Sequence, residues 1–240
     1  MNVTLRKLPG RLPRLCLLCQ LDTPSAFCSD CHDALPFIDQ ACQSCALPII
    51  HFGRPNTAPK LCPECQEEPP PFNRTIAPLA FTYPVNHLVA RFKDFQDLAI
   101  GDALTRLAID YCRAARPILS VDAVCAVPSL GSRRFSRGFN PAEFIAKRVS
   151  AHVKQPLLPI IHKIRQTHDQ RGLSRIERYG NIQDAFRIEP RLLSQVRHLL
   201  LVDDVITTGA TARHLSELLL KNGVETVTLV ALARTPKATT

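Results

Sequence analysis

Two adjacent carboxylates follow four apolar residues in the run LLLVDDVITTGAT (199–211). Asp203 and Asp204 repel one another, and proximity to a core raises that cost, so their surroundings must have a use for paired negative charge. The flanking residues suggest one. Leu199–Val202 reads as a buried strand, which puts both acids at its carboxyl end, where parallel α/β sheets bind their ligands. Thr207, Thr208, Gly209, Ala210 and Thr211 follow as a loop of small and hydroxyl-bearing residues that opens a helix near Thr211. Successive N–H groups in such a turn converge on an anion, and the helix N-terminus adds free donors and the positive end of its dipole. Gly209 permits positive φ and close approach of a ligand. The ligand this chemistry fits is a phosphorylated sugar, with its phosphate in the loop and its hydroxyls donating to the carboxylates. Mg²⁺ near the acids would relieve their repulsion. The run is neither a Walker A loop nor G-x-G-x-x-G.

A second chemistry lies toward the N-terminus. Eight of the ten cysteines form four C-x-x-C units: Cys16/Cys19, Cys28/Cys31, Cys42/Cys45 and Cys62/Cys65. Each unit is half of a tetrahedral Cys₄ site, and the spacings suit two structural zinc ribbons. Neighbouring pairs sharing a metal is the simpler arrangement, with interleaved sharing (first with third, second with fourth) as the alternative. Disulfides fit poorly with a cytosolic chain, a thioredoxin-like site needs one pair rather than four, and the spacings are not ferredoxin-like. Four ligands per metal leave no open coordination position, so the metals are expected to be structural, and a segment with so little core would draw its folding free energy from them. Cys112 and Cys125 fall in apolar segments and read as packing.

The run at 199–211 resembles the 5-phosphoribosyl-1-pyrophosphate (PRPP) motif of type I phosphoribosyltransferases. The resemblance implies that Asp203 and Asp204 hold the ribose 2′ and 3′ hydroxyls and that Thr207–Thr211 binds the 5′-phosphate. Four cysteine pairs, then VPSLGSRRFSRGFNPAE (127–143), then RQTHDQRGLSRIERYGN (165–181), then the PRPP motif, together resemble the competence protein ComF family, including its GntX-type members, over nearly the whole chain. FKDFQD (92–97) departs from the KYRGD-like run that the family carries, and Lys93 is a further candidate.

By this resemblance the segment after the first strand is a pyrophosphate-binding loop. Arg133, Arg134 and Arg137 are its phosphate-binding candidates, each with a forked donor set. Gln170, Arg171, Arg175 and Arg178, with Gly172 and Asn181, are candidates for a mobile loop that closes over the substrate. The implied reaction is a Mg²⁺-dependent displacement of pyrophosphate from C1 of the ribose, through a transition state of oxocarbenium character. The resemblance fixes no acceptor.

These residues need a scaffold that brings them together. Strand-like runs at 121–127, 198–204 and 224–233, and a proline-interrupted apolar run at 156–162, alternate with helical patterns at 98–115, 140–153 and 211–223. Asn140 and Pro141 give the second helix an N-cap and first position, and Gly223 stops the third. The alternation predicts an α/β fold of the type I phosphoribosyltransferase kind, a parallel sheet flanked by helices, over 76–236. A small double zinc ribbon is expected over 14–68, with EEPPPFN (67–73) as a stiff connector.

Charge separates the same regions. The 240-residue chain carries a formal charge of +9, yet residues 1–75 balance at seven basic and seven acidic, whereas residues 129–178 hold eleven basic against three acidic. That concentration favours an anionic partner: PRPP, or nucleic acid such as single-stranded DNA met with the DNA-uptake machinery. A non-catalytic zinc-ribbon protein that uses the same fold to handle DNA is therefore the alternative to a transferase. With 6% aromatic residues and no Trp, base stacking has little to work with. No run reaches the length of a membrane span and the N-terminus lacks a signal-peptide core, so a cytoplasmic protein is expected.

Overall fold

The computed structural model describes residues 15–49, 61–115, 120–129, 138–164 and 185–237. The chain falls into two compact units, one up to Leu35 and one from Pro36. Among its described residues the first contains one short helix, α1 (Ser29–Asp33), and one isolated bridge between Leu15 and Asp22.

The second unit begins with the Cys42–Cys65 segment, whose helix α2 spans Pro63–Glu67. The proline run leads straight into the sheet: Phe72 is buried and Asn73 N–H donates to the Val227 carbonyl. Then come β1 (Arg74–Ile76), β2 (Leu79–Ala80), α3 (Val85–Asp94), α4 (Leu98–Ala115), β3 (Ala123–Ala126) and α5 (Pro141–Val153). A hairpin of β4 (Ile161–Lys163) and β5 (Phe186–Ile188) precedes a 3₁₀ turn at Pro190–Leu193. The chain closes with β6 (His198–Val202), β7 (Val205–Ile206), α6 (Ala210–Lys221), β8 (Thr226–Val230) and β9 (Ala233–Arg234).

The main sheet is parallel, in the order β1-β8-β6-β3. Its central strand β6 is apolar because both faces are covered, and Leu199–Val202 are fully buried. A second parallel sheet has the order β2-β9-β7. These are the same three chain segments in the same order, each resuming after a break of two residues: Ala77–Pro78, Ala231–Leu232 and Asp203–Asp204. The three breaks lie side by side and remain hydrogen-bonded, with Asp203 N–H donating to Val230, Ala231 N–H to Ile76 and Leu232 N–H to Asp204. The expected single strand at 224–233 is therefore two, divided by this shared kink.

Helices flank the sheet. Asp97 accepts from Ile100 N–H at the start of α4 and from Arg91 Nη2 at 2.7 Å, which fixes the α3–α4 corner. Gly101 lies against Phe92, and a Cβ there would come within 2.4 Å of the ring. Phe92 also meets Phe139 and Phe144, and Arg148 stacks on Phe144 while bonding Asp102 at 2.8 Å. Asn140 caps α5 as its sequence predicts, accepting from Ala142 N–H, and its amide also donates to the Val127 carbonyl, tying β3 to α5. The 156–162 text contributes less strand than its apolar run suggests. Leu157 makes one parallel bridge to Val124, Pro159 lacks a donor, and only Ile161–Lys163 pairs, antiparallel with β5. Among the described residues no helix is long and apolar enough to cross a membrane.

Candidate functional site

The cysteines gather into two clusters of neighbouring pairs, Cys16/Cys19/Cys28/Cys31 and Cys42/Cys45/Cys62/Cys65, each with its four Sγ atoms within 4.8 Å of one another. Interleaved sharing is thereby excluded. The clusters are built alike. The first pair of each sits in a tight turn closed by a residue of positive φ, Gln20 at 64° and Ala46 at 56°. The second pair starts a short helix, with Cys28 capping α1 and Cys62 capping α2. None of the ten cysteines is in a disulfide. The Cys19–Cys28 and Cys45–Cys62 sulfurs stand 3.7 Å apart. A tetrahedral zinc with bonds of about 2.3 Å has sulfur–sulfur edges of about 3.8 Å, so the donor sets fit that ion. Without a metal the four thiols compete for ionisation. Burial raises Cys16, but N–H groups of Cys28, Cys19 and Leu18 outweigh it and bring the thiol down to about 6. The hydrogen bond from Cys28, then burial, push Cys31 up to about 12. Burial, then the charges of Cys42 and Cys62, raise Cys45 to about 11. A divalent cation removes this conflict by holding all four as thiolates. Cys112 and Cys125 are buried in α4 and β3, as expected of packing residues.

Asp203 and Asp204 occupy the kink between β6 and β7, half-buried. Asp203 Oδ1 accepts from Asp204 N–H at 2.8 Å, and Asp204 Oδ1 from Val205 N–H at 2.6 Å. Burial and then the Asp204 charge raise the Asp203 carboxyl to about 7, against the pull of the Asp204 N–H and of Lys93 and Lys163. Lys93, from the last turn of α3, places Nζ 2.8 Å from Asp204 Oδ1, with both side chains about four-fifths buried. The relief of charge repulsion expected from Mg²⁺ is thus supplied, in the protein alone, by an ammonium.

Beyond β7 the chain turns through Thr207 and Thr208, both exposed, to Gly209 at φ 80°. A Cβ at Gly209 would meet nothing within 4 Å, so the turn's demand for glycine is conformational. Ala210 opens α6, one residue before the expected start. Thr208 Oγ1 accepts from Ala210 N–H at 3.3 Å. The first turn of α6 holds no acidic residue, which leaves its positive end open to an outside anion. Acid pair, turn and helix start are therefore contiguous, as the sequence pattern requires.

A cavity of about 530 Å³ opens beyond the C-terminal end of β3, lined by Pro128, Ser129, Asn140, Glu143, His162 and Lys163 among others. The Ser129 hydroxyl is buried there without a partner among the described residues. Arg133, Arg134 and Arg137, and Gln170, Arg171, Arg175 and Arg178, lie outside the described residues. Sequence reasoning missed two basic groups. Lys163, at the end of β4, lines the cavity and acts on Asp203. Arg234, 6% exposed, donates to the carbonyls of Ile206 and Thr207 at the start of the loop. An arginine inside the apolar run VALART was the available signal, since a charge is buried only where it has partners.

The phosphoribosyl transferase domain family matches residues 136–240. The chain is 32% identical to the DNA utilization protein YhgH of Shigella flexneri over 93% of its own length and 98% of that protein. It is 28% identical to competence protein F of Haemophilus influenzae, over 88% and 91% respectively. Among solved structures, a glutamine PRPP amidotransferase from B. subtilis aligns with a TM-score of 0.39 at 18% identity, over 55% of this chain and 26% of that one. A parallel sheet with helices, the phosphoribosyl transferase match and two Cys₄ clusters ahead of it agree with a near full-length relationship, and the protein belongs to the ComF family, with a type I phosphoribosyltransferase fold and an N-terminal double zinc ribbon.

Proposed function

We propose that the protein binds PRPP at the β6–α6 junction and transfers its phosphoribosyl group in the course of DNA utilisation or uptake. The observation that carries this reading is the contiguity of three parts: two half-buried acids in the sheet kink, a turn with glycine at positive φ, and a helix N-terminus without acidic residues. In this reading the amides and hydroxyls of Thr207–Thr211 take the 5′-phosphate. Asp203 and Asp204 accept the ribose 2′ and 3′ hydroxyls. Lys93, 2.8 Å from Asp204 Oδ1, sets a positive charge beside that acid, while burial and the Asp204 charge hold the Asp203 carboxyl up at about 7.

The bond from C1 to the diphosphate oxygen breaks as an acceptor nucleophile bonds C1, and the acids stabilise the positive charge that builds on the ring. Mg²⁺, for which the carboxylate oxygens of Asp203 and Asp204 are suitable hard donors, would neutralise charge on the departing diphosphate. The cavity beyond β3, with Ser129 and Lys163 in its wall, is the proposed place of that diphosphate; Arg133, Arg134 and Arg137 follow Ser129 in the sequence. A diphosphate there would give the buried Ser129 hydroxyl a partner. In the fold's structural part, zinc is assigned to both Cys₄ clusters.

The DNA element of the proposal draws on the names of the relatives and on the basic excess of residues 129–178. Calorimetry with PRPP and Mg²⁺ tests the core of it. The native protein is expected to bind, and an Asp203→Ala/Asp204→Ala variant to lose at least about tenfold in affinity, the equivalent of one charged hydrogen bond. Equal binding by both would refute the assignment.

A further inference from the structure

Arg234 is a buried guanidinium whose hydrogen bonds, among the described residues, all end on backbone carbonyls. Nε donates to Cys45 at 3.1 Å, while Nη1 donates to Ile206 and to Thr235, each at 3.1 Å, and to Thr207. Carbonyl dipoles satisfy its donors but do not cancel its charge, and burying an uncompensated charge is costly. A source of compensation is the second cysteine cluster, whose member Cys45 offers one of those carbonyls. Four thiolates around a divalent zinc carry a net charge of about −2. The arginine thus stands between an anionic metal centre and the turn that precedes the phosphate loop.

Two further basic residues cross the same boundary. Arg213, in the first turn of α6, donates to the Glu68 carbonyl at 3.1 Å, and Lys237 pairs with Glu64 at 2.8 Å. Glu64 lies in α2, the helix that contains Cys65, and Glu68 follows it directly. Cys45 and Ala46 also pack into the sheet's own core. The second Cys₄ site is therefore built into the base of the loop rather than hung beside it.

We infer that Arg234 is a positioning residue: it couples metal at Cys42/Cys45/Cys62/Cys65 to the shape of the Ile206–Thr207 turn, and so to anion binding in the loop. The effect on the ligand rests on the functional reading above, whereas the coupling itself does not. Arginine is required because two ends of one planar group serve two sides. Its Nε faces the cysteine turn and its Nη1 faces the loop. A lysine ammonium is a single centre that keeps the charge but cannot hold both.

The test compares the native metal-loaded full chain with Arg234→Lys, and with Cys62→Ser to weaken the second site. Ligand-free amide hydrogen exchange reads the coupling. The reporters are Thr235 N–H, which donates to Ile206, and Arg213 N–H, which donates to Gly209. The β6 amides of Leu199–Val202 serve as the internal reference. In both variants the reporters are expected to exchange about tenfold faster while the reference stays unchanged, the size of one lost charged hydrogen bond. Unchanged reporters would overturn the inference, and so would a reference that accelerates equally, since that is general destabilisation. Arg234→Met, if it folds, is expected to exceed Arg234→Lys. Calorimetry with PRPP and Mg²⁺ then reads the consequence, with an expected affinity loss of about tenfold in Arg234→Lys. A native protein that takes up no PRPP removes the functional reading and leaves the exchange result to decide the coupling. Native binding with unaltered exchange removes the coupling alone.

Discussion

Replacing Asp203 by Asn should stabilise the ligand-free protein, and do so in a pH-dependent way. The Asp203 carboxyl titrates at about 7 in the fold against an ordinary 3.8, because burial first and the Asp204 charge second disfavour its ionised form. The native state then holds this proton more tightly than the unfolded chain does. Stability falls as pH rises from about 4, and the loss is complete once pH has passed about 7. The whole difference corresponds to about 4 kcal/mol. Asp203 retains some contact with solvent, which screens the charge, so about 2–3 kcal/mol is the expected effect. Asn cannot ionise, and it keeps an oxygen to accept the Asp204 N–H now bonded at 2.8 Å. Urea unfolding of metal-loaded native protein and Asp203→Asn, followed from about pH 5 to about pH 8, measures the difference. Loss of metal from the thiolates at the acidic end affects both proteins and drops out of the comparison. The variant's advantage should grow with pH and level off above about 7.5. A constant advantage, or none, would refute the claim that this acid is held against its own ionisation. The same variant should bind PRPP worse than the native protein, a gain in stability bought with function.

Two other perturbations test the scaffold. Gly101→Ala puts a Cβ 2.4 Å from the Phe92 ring, which Phe139 and Phe144 hold in place, so it should cost about 1–3 kcal/mol in urea unfolding; since Lys93 follows Phe92, weaker PRPP binding should accompany it, and an unaltered unfolding midpoint would contradict the packing described. Elemental analysis should find two zinc ions per native chain, one for each cluster, and strong chelation should unfold the cysteine segments; a metal-free preparation with unchanged circular dichroism and melting temperature would remove zinc from the account.

Local chemistry explains what the sequence could disclose. The acid pair, the threonine–glycine turn, the Asn140–Pro141 helix start and the four cysteine pairs are each legible from neighbours within a few positions; the helix start and the cysteine pairs take the expected form, whereas the strand read over 198–204 ends at Val202 and leaves the acids in a kink. Pairing between clusters was open because spacing alone allows two answers, and only the fold brings Cys28 to Cys19 and Cys62 to Cys45. Lys93 is hard to single out in the sequence for a similar reason. A lysine in the last turn of a helix is ordinarily solvated, and what makes this one special is Asp204, more than a hundred positions later. Arg234 shows itself in the sequence only as a charge inside the apolar run VALART; its partners stay hidden there, because the carbonyls of Cys45 and Ile206 are distant and carry no side-chain identity. The break of 224–233 into two strands was hidden for another reason: Ala231 and Leu232 are as apolar as their neighbours, and nothing in VALA announces a kink.

That kink answers why two adjacent acids can serve one ligand. In an unbroken strand successive side chains point to opposite faces, and Asp203 and Asp204 would be divided between the two sides of the sheet. Interrupting one strand alone would leave its own amides and those of its neighbours without partners, at a cost comparable to lost hydrogen bonds. Here β1, β8 and β6 break at one level, so that Asp203 N–H still reaches Val230 and Leu232 N–H still reaches the Asp204 carbonyl. The backbone stays paired while the side chains are freed from alternation. Fully buried Ala231 and Leu232 fill the neighbouring break with apolar atoms, which deepens the desolvation that lifts Asp203. Lys93 offsets that cost at Asp204 from outside the sheet, on a helix whose position depends on Gly101. The acid pair is therefore a property of three strands and one helix together, and a substitution in any of them should be felt in its titration before it is felt in the fold.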